Sequence, residues 1–320
     1  MKSFAPHIAS WLVAALASSV AVADEAAPGP HDSGGHALRT DLFVSSDADG
    51  AATTRWSLGW DTWRADREHW RGLRVERARF SGPGWSHAEE RLYLQAAGTF
   101  GDGPVDDDTW RWRAAAGSNG HDLLGSAALH TEGPRRREFF IERELVETRA
   151  GTRRGQVYTF AGAAFDHPFG EHTSGTVLAG LQDFDDGNLR THLRGTLAHA
   201  FAPDAGLSLQ LRTRAYRNSR PGAGDYYSPR WYGDAVVGIG WRRFFGGHRV
   251  GVFAGAGGRR TAGETGWERM RVLQFGYETP RRHDSFARLS AGWSDTPATT
   301  SVAGGRYAYR YVMFEGVVAF

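Results

Sequence analysis

The chain contains no cysteine. That excludes a disulfide framework and also a lipid-modified cysteine anchor. Lysine is almost missing as well: Lys2 is the only one, and arginine supplies every other permanent cation, a bias that a GC-rich genome alone explains. Opposite charges nearly cancel, leaving a formal net charge of +2, which argues for no nucleic-acid partner. After residue 23 no apolar run is long enough to cross a bilayer as a helix. No glycine-rich phosphate cradle appears either; glycines fall at strand positions and turns, as in "GVFAGAGG".

What the chain does have begins at its N-terminus. Lys2 precedes the apolar run "IASWLVAALASSVAVA", and Ala21-Val22-Ala23 forms a small-x-small cleavage site before Asp24. Residues 1–23 therefore read as an export signal rather than an uncleaved anchor. Residues 24–36 form a short polar periplasmic leader. Glycine (42), tryptophan (12), tyrosine (10) and phenylalanine (18) are all plentiful, yet mean hydropathy is negative. That combination suits strands that are apolar on one face only, as in a transmembrane barrel, although soluble sandwiches and propellers share part of it.

Period-two alternation decides between them. In "LSLQLRTRAY" (207–216), Leu207, Leu209 and Leu211 share one face, while Gln210, Arg212 and Arg214 share the other. "LRTHLRGTLAHAF" sets Leu189, Leu193, Leu197 and Phe201 against Arg190, His192 and Arg194; "TWRWRAAAG" sets Trp110 and Trp112 against Arg111 and Arg113. About sixteen such segments occur, near the length of tilted membrane strands. Their centres lie at about residues 41, 58, 74, 94, 113, 126, 142, 160, 178, 195, 211, 239, 253, 272, 289 and 313. Connections after even-numbered strands are compact ("ADRE", "APDAG", "FGGH"). Several after odd-numbered strands are longer ("SGPGWSHAEE", "NSRPGAGDYYSPRWYGD", "RTAGETGW"), as expected of periplasmic turns and outer loops. The last strand, "YVMFEGVVAF", keeps Val312, Phe314 and Val318 in phase with a terminal Phe320. It resembles the signal read by the outer-membrane barrel assembly machinery. The fold expected is all-β: a transmembrane antiparallel outer-membrane β-barrel of about sixteen strands over residues 37–320.

If apolar faces meet lipid, the opposite faces line a lumen. Alternation sends Arg39, Arg55, Arg91, Arg111, Arg113, Arg190, Arg194, Arg212, Arg214, Arg242 and Arg288 inward, with Asp41, Asp61, Asp234 and Glu315 among the acids. Such groups either brace the wall as Arg–carboxylate ladders or form a cationic track for anionic solutes, and the two roles are compatible. Two segments break the pattern. Arg77 and Arg79 share a face with Leu73 and Val75, and Arg143 shares one with Phe139 and Ile141. A bulge or an arginine reaching the membrane interface accounts for either. The stretch "GDYYSPRWY" (224–232) sits on the longest loop. Tyr226, Tyr227, Trp231 and Tyr232 offer faces for stacking on sugars or for gating, or else form an aromatic girdle patch.

The "YYSP" loop followed by "AVVGIGWRR", in an arginine- and aromatic-rich barrel, resembles the porin domain of exopolysaccharide exporters. These are the poly-N-acetylglucosamine export porin and the outer-membrane subunit of cellulose synthases. "ERELVETRAG" (142–151) is similar to a mid-barrel segment of that group. The resemblance implies a sixteen-stranded channel that passes a polysaccharide and performs no chemistry. It also marks a departure: those exporters carry a helical-repeat region, whereas only "DEAAPGPHDSGGH" precedes this barrel, so either a separate periplasmic repeat protein supplies that role or this is a standalone relative with a different cargo. Alternatives are a general or anion-selective diffusion porin, or an outer-membrane lipid-modifying enzyme using a histidine of "HDSGG" (31–35), "NGHD" (119–122) or "EHTSG" (171–175). No catalytic residue, metal site or cofactor is assigned. "DFDDGN" (183–188) has calcium-type ligands but reads better as an acidic turn bridged to lipid A. The partners expected are outer-membrane lipids and lipopolysaccharide, the assembly machinery and a polysaccharide.

Overall fold

The computed structural model describes residues 34–101, 106–282, 284–297 and 306–320; the export signal (1–23) and nearly all of the leader lie outside them. Sixteen strands follow in order. The first eight are β1 (Gly35–Asp47), β2 (Ala52–Arg64), β3 (Trp70–Gly82), β4 (Trp85–Thr99), β5 (Arg111–Ser118), β6 (Leu123–His130), β7 (Arg137–Leu145) and β8 (Val157–Pro168). The second eight are β9 (Thr173–Phe184), β10 (Leu189–Ala202), β11 (Leu207–Asn218), β12 (Trp231–Phe245), β13 (His248–Thr261), β14 (Glu268–Glu278), β15 (Phe286–Pro297) and β16 (Arg306–Ala319). Each expected centre falls within one of them. A short α-helix, α1 (Arg149–Arg154), lies between β7 and β8.

Every strand pairs antiparallel with its neighbours, and β1 pairs with both β2 and β16, so the sheet closes on itself. Closure removes the edge strands that would otherwise leave unpaired backbone groups in lipid. The β1–β16 seam runs from Ala37↔Ala319 to Asp47↔Tyr309, and backbone bonds between His36 and Phe320 zip its end. β1 thus begins just ahead of residue 37. An even strand number returns both described ends to one face, the periplasmic end.

The exterior carries the apolar residues. Leu58, Val75, Leu94 and Val177 are more than half exposed, which is tolerable only where lipid replaces water. The inward positions next to them are polar or charged: Ser57, Glu76, Tyr93 and Thr176. This inverted pattern on a closed sixteen-stranded barrel places the protein in the outer membrane of a Gram-negative cell. Trp60, Phe320 and His36 cluster at the periplasmic end of the exterior, where an aromatic girdle is expected. Inside, rings lie over glycines of the following strand. A Cβ at Gly162 would meet the Phe140 ring at 2.6 Å, and one at Gly180 would meet the Phe160 ring at 2.6 Å.

Two expectations need correction. "SGPGWSHAEE" is almost wholly strand: β3 and β4 are joined by Pro83 and Gly84 alone, Gly84 taking a φ of 73° that its missing side chain permits. Conversely, residues 100–110 after even-numbered β4 make one of the longer connections, so the rhythm of lengths is looser than the sequence suggests. Within "ERELVETRAG" the chain leaves the wall at Leu145 and turns into α1.

The off-pattern arginines need no bulge. The β3–β4 and β7–β8 ladders run without a register shift past Arg77, Arg79 and Arg143. All three are exposed on the outside face. They sit at the outer end of their strands, where a lipid-side arginine costs about 0–1 kcal/mol rather than the 2–4 kcal/mol of the midplane.

Candidate functional site

Two different walls line the lumen. On the β1–β8 side nearly every arginine has a carboxylate. Arg91, fully buried, reaches Glu76 (3.0 Å), Glu89 (2.5 Å) and Glu144 (3.0 Å), tying β4 to β3 and β7. Arg39 pairs with Asp61 at 2.8 Å, and Ser57 donates to Asp41 at 2.7 Å. Arg111 donates to the carbonyls of Thr109 and Asp106, with Glu68 at 3.7 Å. Arg113, two residues on, is exposed. Removing one partner from such buried pairs leaves an uncompensated charge, so this wall is braced rather than free to select solutes.

The β9–β12 wall differs. Arg190, Arg194, Arg212 and Arg214 line it, facing the acid Asp234. Arg214 takes that carboxylate at 2.6 Å and also donates to the Tyr232 hydroxyl at 3.0 Å. Among the described residues, Arg190, Arg194 and Arg212 have no carboxylate within ion-pair distance. Arg190 donates to Asn218 Oδ1 (2.8 Å) and the Tyr227 carbonyl (2.6 Å), with its guanidinium 4.9 Å from the Tyr216 ring. Arg212 donates to Gln274 Oε1 at 2.6 Å and lies 3.5 Å over the Phe253 ring. Nε of Arg194 is buried with no hydrogen-bond partner. Nearer the periplasm, Arg242 lines the inner face opposite Gly251. There Arg288 is braced between Glu315 (3.3 Å) and Glu278 (3.4 Å). The lumen-side arginines thus divide into braced and unbraced groups, a difference alternation alone does not reveal.

The outer mouth is crossed by chain. From β7, the corner at residues 144–147 leans over to β2. Arg55 meets Glu144 and Glu147, each at 3.3 Å, and Thr53 donates to Glu147 at 2.9 Å. Thr148 caps α1, its hydroxyl accepting the Gly151 N–H at 3.0 Å. On its other side Asp225, in the loop between β11 and β12, accepts the Thr148 hydroxyl and, at 2.6 Å, the Ala150 N–H. Val146, Phe140, Tyr158, Phe160, Phe184 and Tyr226 bury one another beneath that contact. The segment 142–151 and the loop that holds the "YYSP" residues thus meet as one shelf at the mouth.

The aromatic set of "GDYYSPRWY" is not a single stacking platform. Tyr226 is buried, stacked on Phe184 with centroids 4.2 Å apart, its hydroxyl held by Asp186 at 3.0 Å and by Asn188. Burial, and then the Asp186 carboxylate, push its phenol above the ordinary range. Burial raises Tyr227 likewise, and it reaches Thr261 of β13. Trp231 and Tyr232 belong to β12 itself, where alternation separates them. Trp231 faces outward, whereas Tyr232 turns in and stacks on Tyr216 at 4.8 Å.

The histidine stretches show no triad-like contacts. His121 and His172 are exposed in connections, and residues 31–33 lie outside the described residues. A grouping absent from the sequence reading occurs elsewhere. His69 Nδ1 lies 3.0 Å from Asp66 and Nε2 lies 2.9 Å from Thr99 Oγ1. The same carboxylate accepts the N–H groups of Glu68 and His69, so the trio closes the β2–β3 turn. In "DFDDGN", Asp185 accepts the Val157 N–H and Asp186 holds Tyr226, which commits both carboxylates internally.

No family model matches the chain, and no curated protein does. Among solved structures it is similar to one titled bacterial polysaccharide outer membrane secretin, at 16% identity and a TM-score of 0.63, covering 89% of this chain and 98% of that one. Two Pseudomonas aeruginosa proteins are more distant. OccK5 (OpdH) has 9% identity and a TM-score of 0.45, over 92% and 100% of the chains. The outer membrane protein OprD has 7% identity and a TM-score of 0.44, over 91% and 95%. The first of these likenesses shows the fold alone, an outer-membrane β-barrel.

Proposed function

We propose that the protein is an outer-membrane channel that passes an acidic polysaccharide along its β9–β12 wall and performs no chemistry of its own. The observation that carries this is the trio Arg190, Arg194 and Arg212, three lumenal cations without a carboxylate, two of them lying against aromatic rings. Guanidinium groups attract anionic sugars at range and fork onto their carboxylates or sulfates at contact, while neighbouring rings favour the flat apolar faces of pyranoses. The mouth shelf adds a constriction through which a slender polymer would thread. The structure whose title names a polysaccharide secretin is consistent with such a cargo.

Lumenal arginines without a carboxylate equally favour an anion-selective diffusion porin for small solutes, and one measurement separates the two. In planar bilayers a polysaccharide channel shows low conductance to small salts and long current blockades by acidic oligosaccharides from the periplasmic side. A diffusion porin conducts freely and shows only brief blockades. Indifference of both conductance and blockade to solute charge would sink either reading.

A further inference from the structure

The outside of the barrel is charged unevenly. Near the outer end, exposed arginines continue the lipid-facing rows of five strands. Arg77 and Arg79 follow Leu73 and Val75, Arg143 follows Ile141, and Arg217 follows Leu211, while Arg269 precedes Leu273 and Arg310 precedes Val312. Cross-strand register keeps them on one rim: Arg217 stands opposite Trp231, Arg310 opposite Trp293, and Arg269 opposite Gly258. Carboxylates on that rim are few. Glu90 stands 3.9 Å from Arg77, both heavily exposed, and Asp295 is taken by Arg271. Among the described residues Arg79, Arg217, Arg269 and Arg310 have no carboxylate within ion-pair distance. The periplasmic end of the exterior is poorer in arginine: Arg71 and Arg137 lean over Trp63 and Trp110, and Arg243 is held by the Asp204 carbonyl.

Unpaired guanidinium groups bordering hydrocarbon call for an anion at the same depth. We propose that this outer rim is a binding belt for the phosphate groups of lipid A, the phosphorylated glycolipid anchor of the outer leaflet. The arginine fork matches phosphate oxygens two at a time and sheds water more readily than an ammonium does. The rim lies directly above the apolar band, at headgroup depth, with Trp231 and Trp293 among the arginines as interfacial rings. A glycerophospholipid headgroup offers the same phosphate chemistry. The belt's confinement to the outer end favours the glycolipid, and this proposal is independent of what the lumen carries.

The test uses the full-length protein in detergent and three probes: bisphosphorylated lipid A, the same lipid with both phosphates removed, and phosphatidylglycerol. Expected is binding of bisphosphorylated lipid A roughly tenfold or more tighter than either other probe. The variant Arg79→Gln/Arg217→Gln/Arg269→Gln/Arg310→Gln should lose that preference, and Arg71→Gln/Arg137→Gln/Arg243→Gln should keep it. Heat-dependent gel mobility confirms that each variant is folded; if the first fails to fold, the comparison of lipids on the unaltered protein decides. Equal binding of phosphate-free lipid A or of phosphatidylglycerol, or an equal loss in the periplasmic-end variant, overturns the belt.

Discussion

Arg194 and Arg214 stand directly opposite one another across the β10–β11 ladder, both on the lumen side. Like charges at such a position are destabilising. Asp234, opposite Arg214 on β12, neutralises only one of them. A wall built only for stability would have no use for the second guanidinium, which makes Arg194 the residue most plainly held for the lumen.

This relationship sets up a double-mutant cycle. Arg194→Gln removes the like-charge neighbour and is expected to be neutral or to stabilise by about 0.2–1 kcal/mol. Arg214→Gln alone should cost less than a broken buried pair usually does, because Arg194, already coupled electrostatically to Asp234, can take the carboxylate over. The double variant removes both of these cations from Asp234 and should lose about 3–5 kcal/mol. Urea unfolding of detergent-solubilised protein measures all three; strict additivity would show that Arg194 does not exchange partners.

Selectivity should follow the unbraced arginines and not the braced ones. Arg194→Glu with Arg212→Glu is expected to move the bilayer reversal potential under a salt gradient from anion towards cation preference. Arg288→Gln, whose charge is offset by Glu278 and Glu315, should change it little. An equal effect from Arg288→Gln would mean that the summed lumen charge, not the β10–β11 wall, selects.

Much of this molecule is legible in its sequence because a barrel strand repeats every two residues, and each repeat must satisfy lipid on one side and water on the other. Leu209, Arg212 and Arg194 could be assigned to their faces from that rule alone. Arg143 was ambiguous because depth, not face, decides the cost of an outward charge, and depth is known only once strand lengths are. The division into braced and unbraced arginines depends on cross-lumen partners such as Arg55 and Glu144, from β2 and β7. The meeting of Thr148 with Asp225, 77 residues apart, exists only after closure brings β7 and β11 round to the same mouth. Trp231 and Tyr232 were read as loop residues because Pro229 and Tyr227 precede them, yet β12 begins at Trp231.

The polar clasp that joins α1 to the β11–β12 loop can be cut. Asp225→Ala removes the acceptor of the Thr148 hydroxyl and the Ala150 N–H, leaving both donors at the head of α1 unsatisfied on that side. A loss of about 1–3 kcal/mol is expected, borne by the loop contact rather than by the strand ladders. Protease cleavage within residues 219–230 should therefore quicken and single-channel conductance rise, while heat-modifiable gel mobility stays unchanged. Unaltered cleavage and conductance would mean that the apolar cluster around Tyr226 holds the shelf by itself.

That cluster carries its own pH dependence. Tyr226 is a phenol whose ionisation is pushed upward by burial and by Asp186 beneath its hydroxyl. A folded-state value above the unfolded one of 10.0 means that docking favours the protonated form. The contribution is complete below pH 10.0 and is lost as pH climbs from there through the raised value, where a phenolate would be forced against a carboxylate and off the Phe184 face. Conductance of the unaltered channel is expected to increase reversibly in that alkaline window. Tyr226→Phe keeps the stacking with Phe184 but has nothing to ionise. It gives up the bonds to Asn188 and Asp186, at about 0.5–1.5 kcal/mol each, so its loop should be looser at neutral pH and indifferent to further alkali. An alkaline opening that persists in Tyr226→Phe would assign the titration to another group and leave Tyr226 a packing residue only.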